Sequence, residues 1–163
     1  VWEKSVKTGQ ALRARGAPKG VKVRLLTRVY RGADVGHATL DFLSELGAQD
    51  TPAHVVGFLG HNHLMDVGQD WVPAPEPGPL KSTGTFVLAC LSDSYFRAAL
   101  EQRNSAPLLL STDFIYPNGS TVLGIIEGLV AGQEHDGVRR SAARRHADHQ
   151  GKPFDLILKK FAE

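Results

Sequence analysis

The chain has 163 residues, of which 42% are hydrophobic and 22% charged, the size and composition of one globular domain. Its formal net charge of +2 is too small to require a polyanion, so we expect no nucleic-acid partner. No apolar run approaches the roughly 20 residues of a membrane-spanning helix, so we expect no membrane span. The single cysteine excludes an internal disulfide and fits a soluble protein, whether cytoplasmic or exported.

The first thirty residues are predicted to form a helix and then a strand. Apolar residues recur among Lys, Gln and Arg within Val1–Arg15, which predicts a short amphipathic helix that ends at Gly16. Alternating apolar and polar residues over Val21–Tyr30 predict a half-buried strand. A crossover helix in a parallel sheet follows a strand. We therefore expect a further strand upstream of residue 1, placed beside the strand that precedes His61.

From residue 34 onward, apolar runs of strand length alternate with segments of helical periodicity. This alternation predicts one α/β domain over residues 1–163, a three-layer sandwich with a mostly parallel sheet. Alternating prolines make the segment 71–82 an extended surface loop. The predicted elements are helix Val35–Leu46 capped by Asp34, strand His54–Gly60, strand Thr85–Cys90, helix Ser94–Arg103 capped by Ser92 or Asp93, strand Pro107–Ser111, and helices Thr121–Ala131, Val138–Gln150 and Phe154–Phe161.

Two reactive side chains stand where two consecutive predicted strands end. His61 follows strand His54–Gly60, and Cys90 is the last residue of strand Thr85–Cys90. Neighbouring parallel strands lie about 4.8 Å apart, so their end residues can face each other in the crevice where open α/β sheets bind ligands. An isolated cysteine is more often part of a core and an isolated histidine more often structural. The ordered pair, however, is the minimum for thiol nucleophilic catalysis.

The order of elements and the strand ends resemble the caspase-like (clan CD) cysteine peptidases, which include caspases, gingipains, legumains and CHAT-type members. In these families a hydrophobic strand ends in His-Gly and the next ends in Ala-Cys. Here the corresponding blocks are Val-Val-Gly-Phe-Leu-Gly-His61-Asn62 and Phe-Val-Leu-Ala-Cys90. The resemblance implies a cysteine endopeptidase with Cys90 as nucleophile and His61 as general acid–base. It also implies a peptide or protein substrate and no cofactor.

The residues around this pair include two departures from the family pattern. Asn62 stands where these families have glycine, whose backbone amide is expected, with that of the nucleophile, to stabilise the oxyanion. Leu88 replaces a polar residue two positions before the cysteine. Within the same resemblance, His63 and Asp66 order the loop. Asp113, just past the fourth strand, is a candidate for binding a basic substrate side chain.

Two alternatives remain open from the sequence. A catalytically inactive caspase-like sensor or interaction domain would keep the fold and use the basic helix or the proline loop as its contact surface. A metal-dependent hydrolase would use His61, His63 and Asp66, although their spacing fits no zinc signature. Its further ligands would come from His37, His135, His146 or His149.

A basic patch lies near the C-terminus of the sequence. Without interleaved aromatic residues it predicts a solvated helix face rather than a nucleic-acid surface. The patch consists of Arg139, Arg140, Arg144, Arg145 and Lys152.

Overall fold

The computed structural model describes residues 1–51 and 53–162 and is an α/β protein with a three-stranded parallel sheet. The chain divides into two compact units, residues 1–29 with 119–158 and residues 30–118 with 159–162. Over the described residues, none of the helices has the length and apolar character needed to cross a bilayer. The elements are β1 (Trp2–Lys7), α1 (Gln10–Ala14), β2 (Gly20–Leu25), α2 (Val35–Glu45), β3 (Val55–Leu59), α3 (Leu64–Val67), β4 (Thr83–Leu88), α4 (Ser92–Glu101), β5 (Ser105–Leu110), α5 (Gly119–Ala131), α6 (His135–Gln150) and α7 (Phe154–Leu158).

The first unit contains an antiparallel strand pair, β1 and β2, together with the helices α1, α5, α6 and α7. Helices α5 and α6 approach each other closely, because α5 presents glycine at the contact. A Cβ atom added to Gly124 would lie 2.6 Å from the backbone oxygen of Ser141 in α6. Only glycine allows the two backbones to lie this near each other.

The predicted N-terminal helix over Val1–Arg15 is wrong. Residues 2–7 form strand β1, which pairs with β2 from Trp2↔Leu25 to Lys7↔Gly20, and only Gln10–Ala14 is helical. Alternation over so short a segment suits a strand as well as a helix, and pairing with β2 decides the outcome. The strand predicted from residue 21 thus belongs to an antiparallel pair. The expectation of a further strand upstream of residue 1 rested on a crossover helix over Val1–Arg15. Because residues 2–7 form a strand, that expectation no longer has this basis.

The second unit is built on the parallel sheet, in the order β3-β4-β5. Helices α2 and α4 pack on one face of it through three phenylalanine rings. The ring centroids of Phe42 and Phe58 lie 5.6 Å apart, and that of Phe96 lies 6.2 Å from each. The three predicted strands of this sheet and the helix from residue 35 are confirmed, with small shifts of their ends.

Several local expectations in the second unit need correction. The strand that precedes His61 was expected to be buried on both faces, but β3 lies at the edge of the described sheet and Leu59 is exposed. Helix α4 begins at Ser92 and follows Leu91, which has a positive φ of 52°, so neither Ser92 nor Asp93 is its cap. Asp34 precedes α2 without a side-chain capping hydrogen bond.

The last predicted helix, which was expected to reach Phe161, is also too long. Helix α7 ends at Leu158, and Phe161 forms an antiparallel bridge with Ser111 just beyond β5. The amide of Ala162 donates to the carbonyl of Leu110 at 2.9 Å. A turn at residues 159 and 160 follows the helix, and the chain then pairs with the end of β5.

Candidate functional site

The carboxyl ends of β3 and β4 lie side by side. Leu59 pairs with Leu88 in parallel register, and the amide of Gly60 donates to the carbonyl of Leu88 at 3.2 Å. His61 and Cys90 each follow two residues after this pair. The predicted adjacency of the two strands is confirmed, and both reactive residues begin loops at the same edge of the sheet.

Asn62 connects these two loops through its side chain. Its Nδ2 donates to the backbone oxygen of Cys90 at 2.6 Å, and its Oδ1 accepts from the amide of Leu64 at 3.1 Å. The residue is completely buried, with 0% exposure. Sequence reasoning assigned Asn62 a role through its backbone amide and missed the role of its side chain, which depends on a partner 28 residues away.

The His61 imidazole is paired with a carboxylate. Its Nε2 lies 2.7 Å from Oδ2 of Asp66, and both side chains are more than half exposed. His63 Nδ1 lies 3.8 Å from the same oxygen, and its ring packs edge-on against Trp71 at a centroid distance of 4.8 Å. Asp66 therefore fixes the orientation of His61, while His63 is held mainly by packing.

Cys90 lies in a tight turn between β4 and α4 and is half-buried. Its Sγ is 3.5 Å from the backbone oxygen of Ile115. The next residue, Leu91, adopts the left-handed conformation and donates its amide to the carbonyl of Asp113 at 3.1 Å. Among the described residues, no hydrogen bond joins the Cys90 thiol to the His61 imidazole.

Asp113, the candidate for a basic substrate side chain, is paired with a lysine of the same chain. Lys160 Nζ donates to its Oδ2 at 2.6 Å, and the amide of Phe114 donates to its Oδ1 at 2.7 Å. The hydrogen bond from Lys160, followed by that from Phe114, lowers the pKa of the Asp113 carboxyl. Because the amide of Leu91 also bonds to this residue, the Asp113–Lys160 pair is anchored next to the cysteine turn.

The residues considered for a metal do not converge. Within the described part of the chain, no group of three His, Cys, Asp or Glu residues is arranged to hold an ion. His61 and His63 contact Asp66 through one carboxylate oxygen. Of the further candidates, His146 is buried in the first unit, where its Nδ1 lies 2.8 Å from Oγ1 of Thr121, and His37 lies 3.5 Å from Asp41.

Comparison of the chain with known protein families, with curated proteins and with solved structures gives no match. The geometry at the ends of β3 and β4 is therefore the main structural basis for a functional proposal.

Proposed function

We propose that the protein is a thiol hydrolase, a cysteine peptidase with a caspase-like three-layer α/β fold. Cys90 is the nucleophile and His61 the general acid–base. The observation that carries the proposal is the parallel β3–β4 pair, which starts both catalytic loops at one sheet edge. The buried side chain of Asn62 supports it further, because it ties the loop of His61 to the backbone of Cys90.

The Asp66 carboxylate supplies the third member of the site. Because it bonds to His61 Nε2, it leaves Nδ1 to take the proton of the Cys90 thiol. The thiolate attacks the substrate carbonyl carbon, and the resulting imidazolium gives its proton to the leaving amine as the C–N bond breaks. Water then hydrolyses the thioester with His61 acting as base. A separated thiol and imidazole fit this scheme, since catalytic hydrogen bonds often tighten only with substrate bound.

The oxyanion of the tetrahedral intermediate needs backbone donors near the cysteine. Three amides after it already have acceptors: Leu91 donates to Asp113, and both Ser92 and Asp93 donate to Ser111. The proposal therefore assigns the oxyanion to the amides of Cys90 and Asn62, at the starts of the two loops.

A second candidate, a catalytically inactive caspase-like interaction domain, is favoured by a different observation. The Cys90 thiol is directed to the Ile115 carbonyl, and the His61 imidazole to Asp66. In this alternative the two contacts only stabilise the loops. The metal-dependent hydrolase is a third candidate, resting on the shared contacts of His61 and His63 with Asp66.

Hydrolysis of a library of short peptides with a fluorogenic leaving group separates these candidates. We expect the wild-type protein to cleave some members, Cys90→Ala and His61→Ala to lose all activity, and Asp66→Asn to lose at least about tenfold. His54→Ala is the matched control, because His54 is an exposed histidine at the opposite end of β3. No cleavage by folded wild-type protein favours the inactive domain. Activity that survives Cys90→Ala but is lost with a chelator favours the metal hydrolase.

A further inference from the structure

The guanidinium groups of two arginines of α6 lie over one aromatic ring in the first unit. The guanidinium carbon of Arg144 lies 4.0 Å from the ring centroid of Phe154, and that of Arg140 lies 5.3 Å from it. The arginines are one helical turn apart, at i and i+4, so they project from the same face of the helix. They line a groove with a volume of about 460 Å³. The ring faces a guanidinium, so this is not an open platform for stacking a base.

The charges in this groove are unevenly balanced. Arg145 is neutralised, because its Nε donates to Glu127 at 2.8 Å and its Nη2 bonds to the other oxygen of the same carboxylate. This pairing raises the pKa of Arg145 and lowers that of Glu127. In the described parts of the chain, neither Arg140 nor Arg144 forms a salt bridge. Within the described residues, these two guanidinium groups therefore lack a direct ion pair, although the charge of Arg140 contributes to the lowered pKa of Asp136.

We propose that this groove binds a small phosphomonoester, whose dianionic phosphate is held by Arg140 and Arg144. A guanidinium presents its N–H groups in its own plane, the geometry that takes phosphate oxygens in pairs. The three arginines of the lining outnumber its two carboxylates, so the groove is positive and attracts the dianion of a phosphomonoester. This inference is independent of the chemistry proposed for Cys90.

The rest of the lining limits the size and charge of the ligand. Glu127 and Asp148 border the groove and repel additional negative charge, which disfavours a long polyanion such as nucleic acid. The groove is largely open to solvent, so the arginines hold the phosphate group and do not enclose the whole ligand. Ser141 also lines the groove, and its hydroxyl donates to Gln133 at 2.7 Å.

Titration calorimetry with inorganic phosphate and phenyl phosphate tests the proposal on the full chain. We expect both to bind at millimolar concentration or below, and Arg140→Gln with Arg144→Gln to weaken binding by at least about tenfold. Glu127→Gln should tighten binding several-fold, because it releases the charge of Arg145. Arg13→Gln is the control, since Arg13 is an exposed arginine on another helix of the same unit.

Three results would overturn the proposal. Wild-type protein that binds neither phosphate compound contradicts it directly. A second such result is equal phosphate binding by wild type and the double arginine variant while circular dichroism shows that both are folded. That result would show that phosphate binds outside this groove. Tighter binding of phthalate than of phenyl phosphate assigns the groove to dicarboxylates instead. We expect Glu127→Gln to bind phosphate more tightly than wild type. Misfolding can only weaken binding, so it cannot produce this result.

Discussion

The side-chain amide of Asn62 donates a hydrogen bond to the backbone carbonyl oxygen of Cys90 across 2.6 Å. The same side chain accepts the amide of Leu64, so both ends of its amide group are used in a buried position. A glycine at this place would supply neither bond. Asn62 therefore gives this chain a fixed link between its two candidate catalytic loops.

Replacing Asn62 by alanine removes both hydrogen bonds and leaves the Cys90 carbonyl and the Leu64 amide without these partners. We expect the free energy of unfolding to fall by about 2–4 kcal/mol, as two buried groups lose their bonds. Urea denaturation measures this change. Gln69→Ala is the matched control. The side-chain amide of Gln69 also donates a hydrogen bond to a backbone carbonyl, that of Ser94, but at an exposed position. Equal effects of both substitutions would contradict the account.

Gly124→Ala tests the close contact between α5 and α6. Alanine favours a helix over glycine by up to about 1 kcal/mol. The added Cβ, however, would lie 2.6 Å from the Ser141 backbone oxygen, and overpacking of this kind is destabilising by about 1–3 kcal/mol. We expect a lower melting temperature in thermal denaturation. Gly119→Ala, at the open start of α5, has no atom within 4 Å of its Cβ and should be neutral or stabilising.

The Asp113–Lys160 pair predicts a specific acid dependence. The hydrogen bond from Lys160 lowers the folded-state pKa of Asp113 below its ordinary value. The ionised Asp113 carboxylate therefore stabilises the fold fully above about pH 4, the unfolded-state pKa. This stabilisation is lost as the pH falls through the folded-state pKa. A carboxyl ¹³C titration by NMR should place the Asp113 midpoint below that ordinary value and show an upward shift in Lys160→Gln. The neighbouring Lys159→Gln should leave it unchanged. An identical midpoint in wild type and Lys160→Gln would refute the assignment.

Arg103 anchors the proline-rich segment to α4. Its guanidinium donates to the carbonyl of Ala99 at 3.1 Å and to that of Pro73, and the residue is 3% exposed. Arg103→Met keeps most of the side-chain volume but removes both bonds. We expect destabilisation by about 1–3 kcal/mol and faster hydrogen exchange within residues 72–82. Arg31→Met, at an exposed position, serves as the control. Unchanged exchange in that segment would show that Arg103 does not hold it.

The parallel part of the fold follows from local sequence, whereas its first strand does not. Apolar runs that end before His61 and at Cys90 predict two buried neighbouring strands, and β3 and β4 pair in parallel. Trp2 and Val6 fit a helix or a strand, because six residues cover too few periods to distinguish them. Pairing with β2 across a turn and a short helix resolves this ambiguity, and no local pattern encodes that pairing.

The candidate site residues follow from the sequence, whereas the contacts of their side chains do not. Strand ends pointed to His61 and Cys90, and the acid five residues after the histidine is its neighbour in space. Side-chain contacts over long sequence separations were missed, as between Arg144 and Phe154. These two residues meet because Gly151 ends α6 with a φ of +60° and turns the chain back. The sequence predicted a solvated basic face because that aromatic residue lies outside the basic helix.

Covalent labelling of Cys90 by a peptidyl acyloxymethyl ketone tests the central claim most directly. Cys90 is the single cysteine of the chain, so labelling adds the mass of one probe to the intact protein. The absence of this added mass in Cys90→Ala shows that the probe is attached to the Cys90 thiol. The labelling rate is measured at one probe concentration for wild type and each variant, and circular dichroism verifies that each variant is folded. We expect this rate to fall about a hundredfold in His61→Ala and to stay unchanged in His54→Ala. A labelling rate that is the same in wild type and His61→Ala would contradict the claim that His61 activates Cys90.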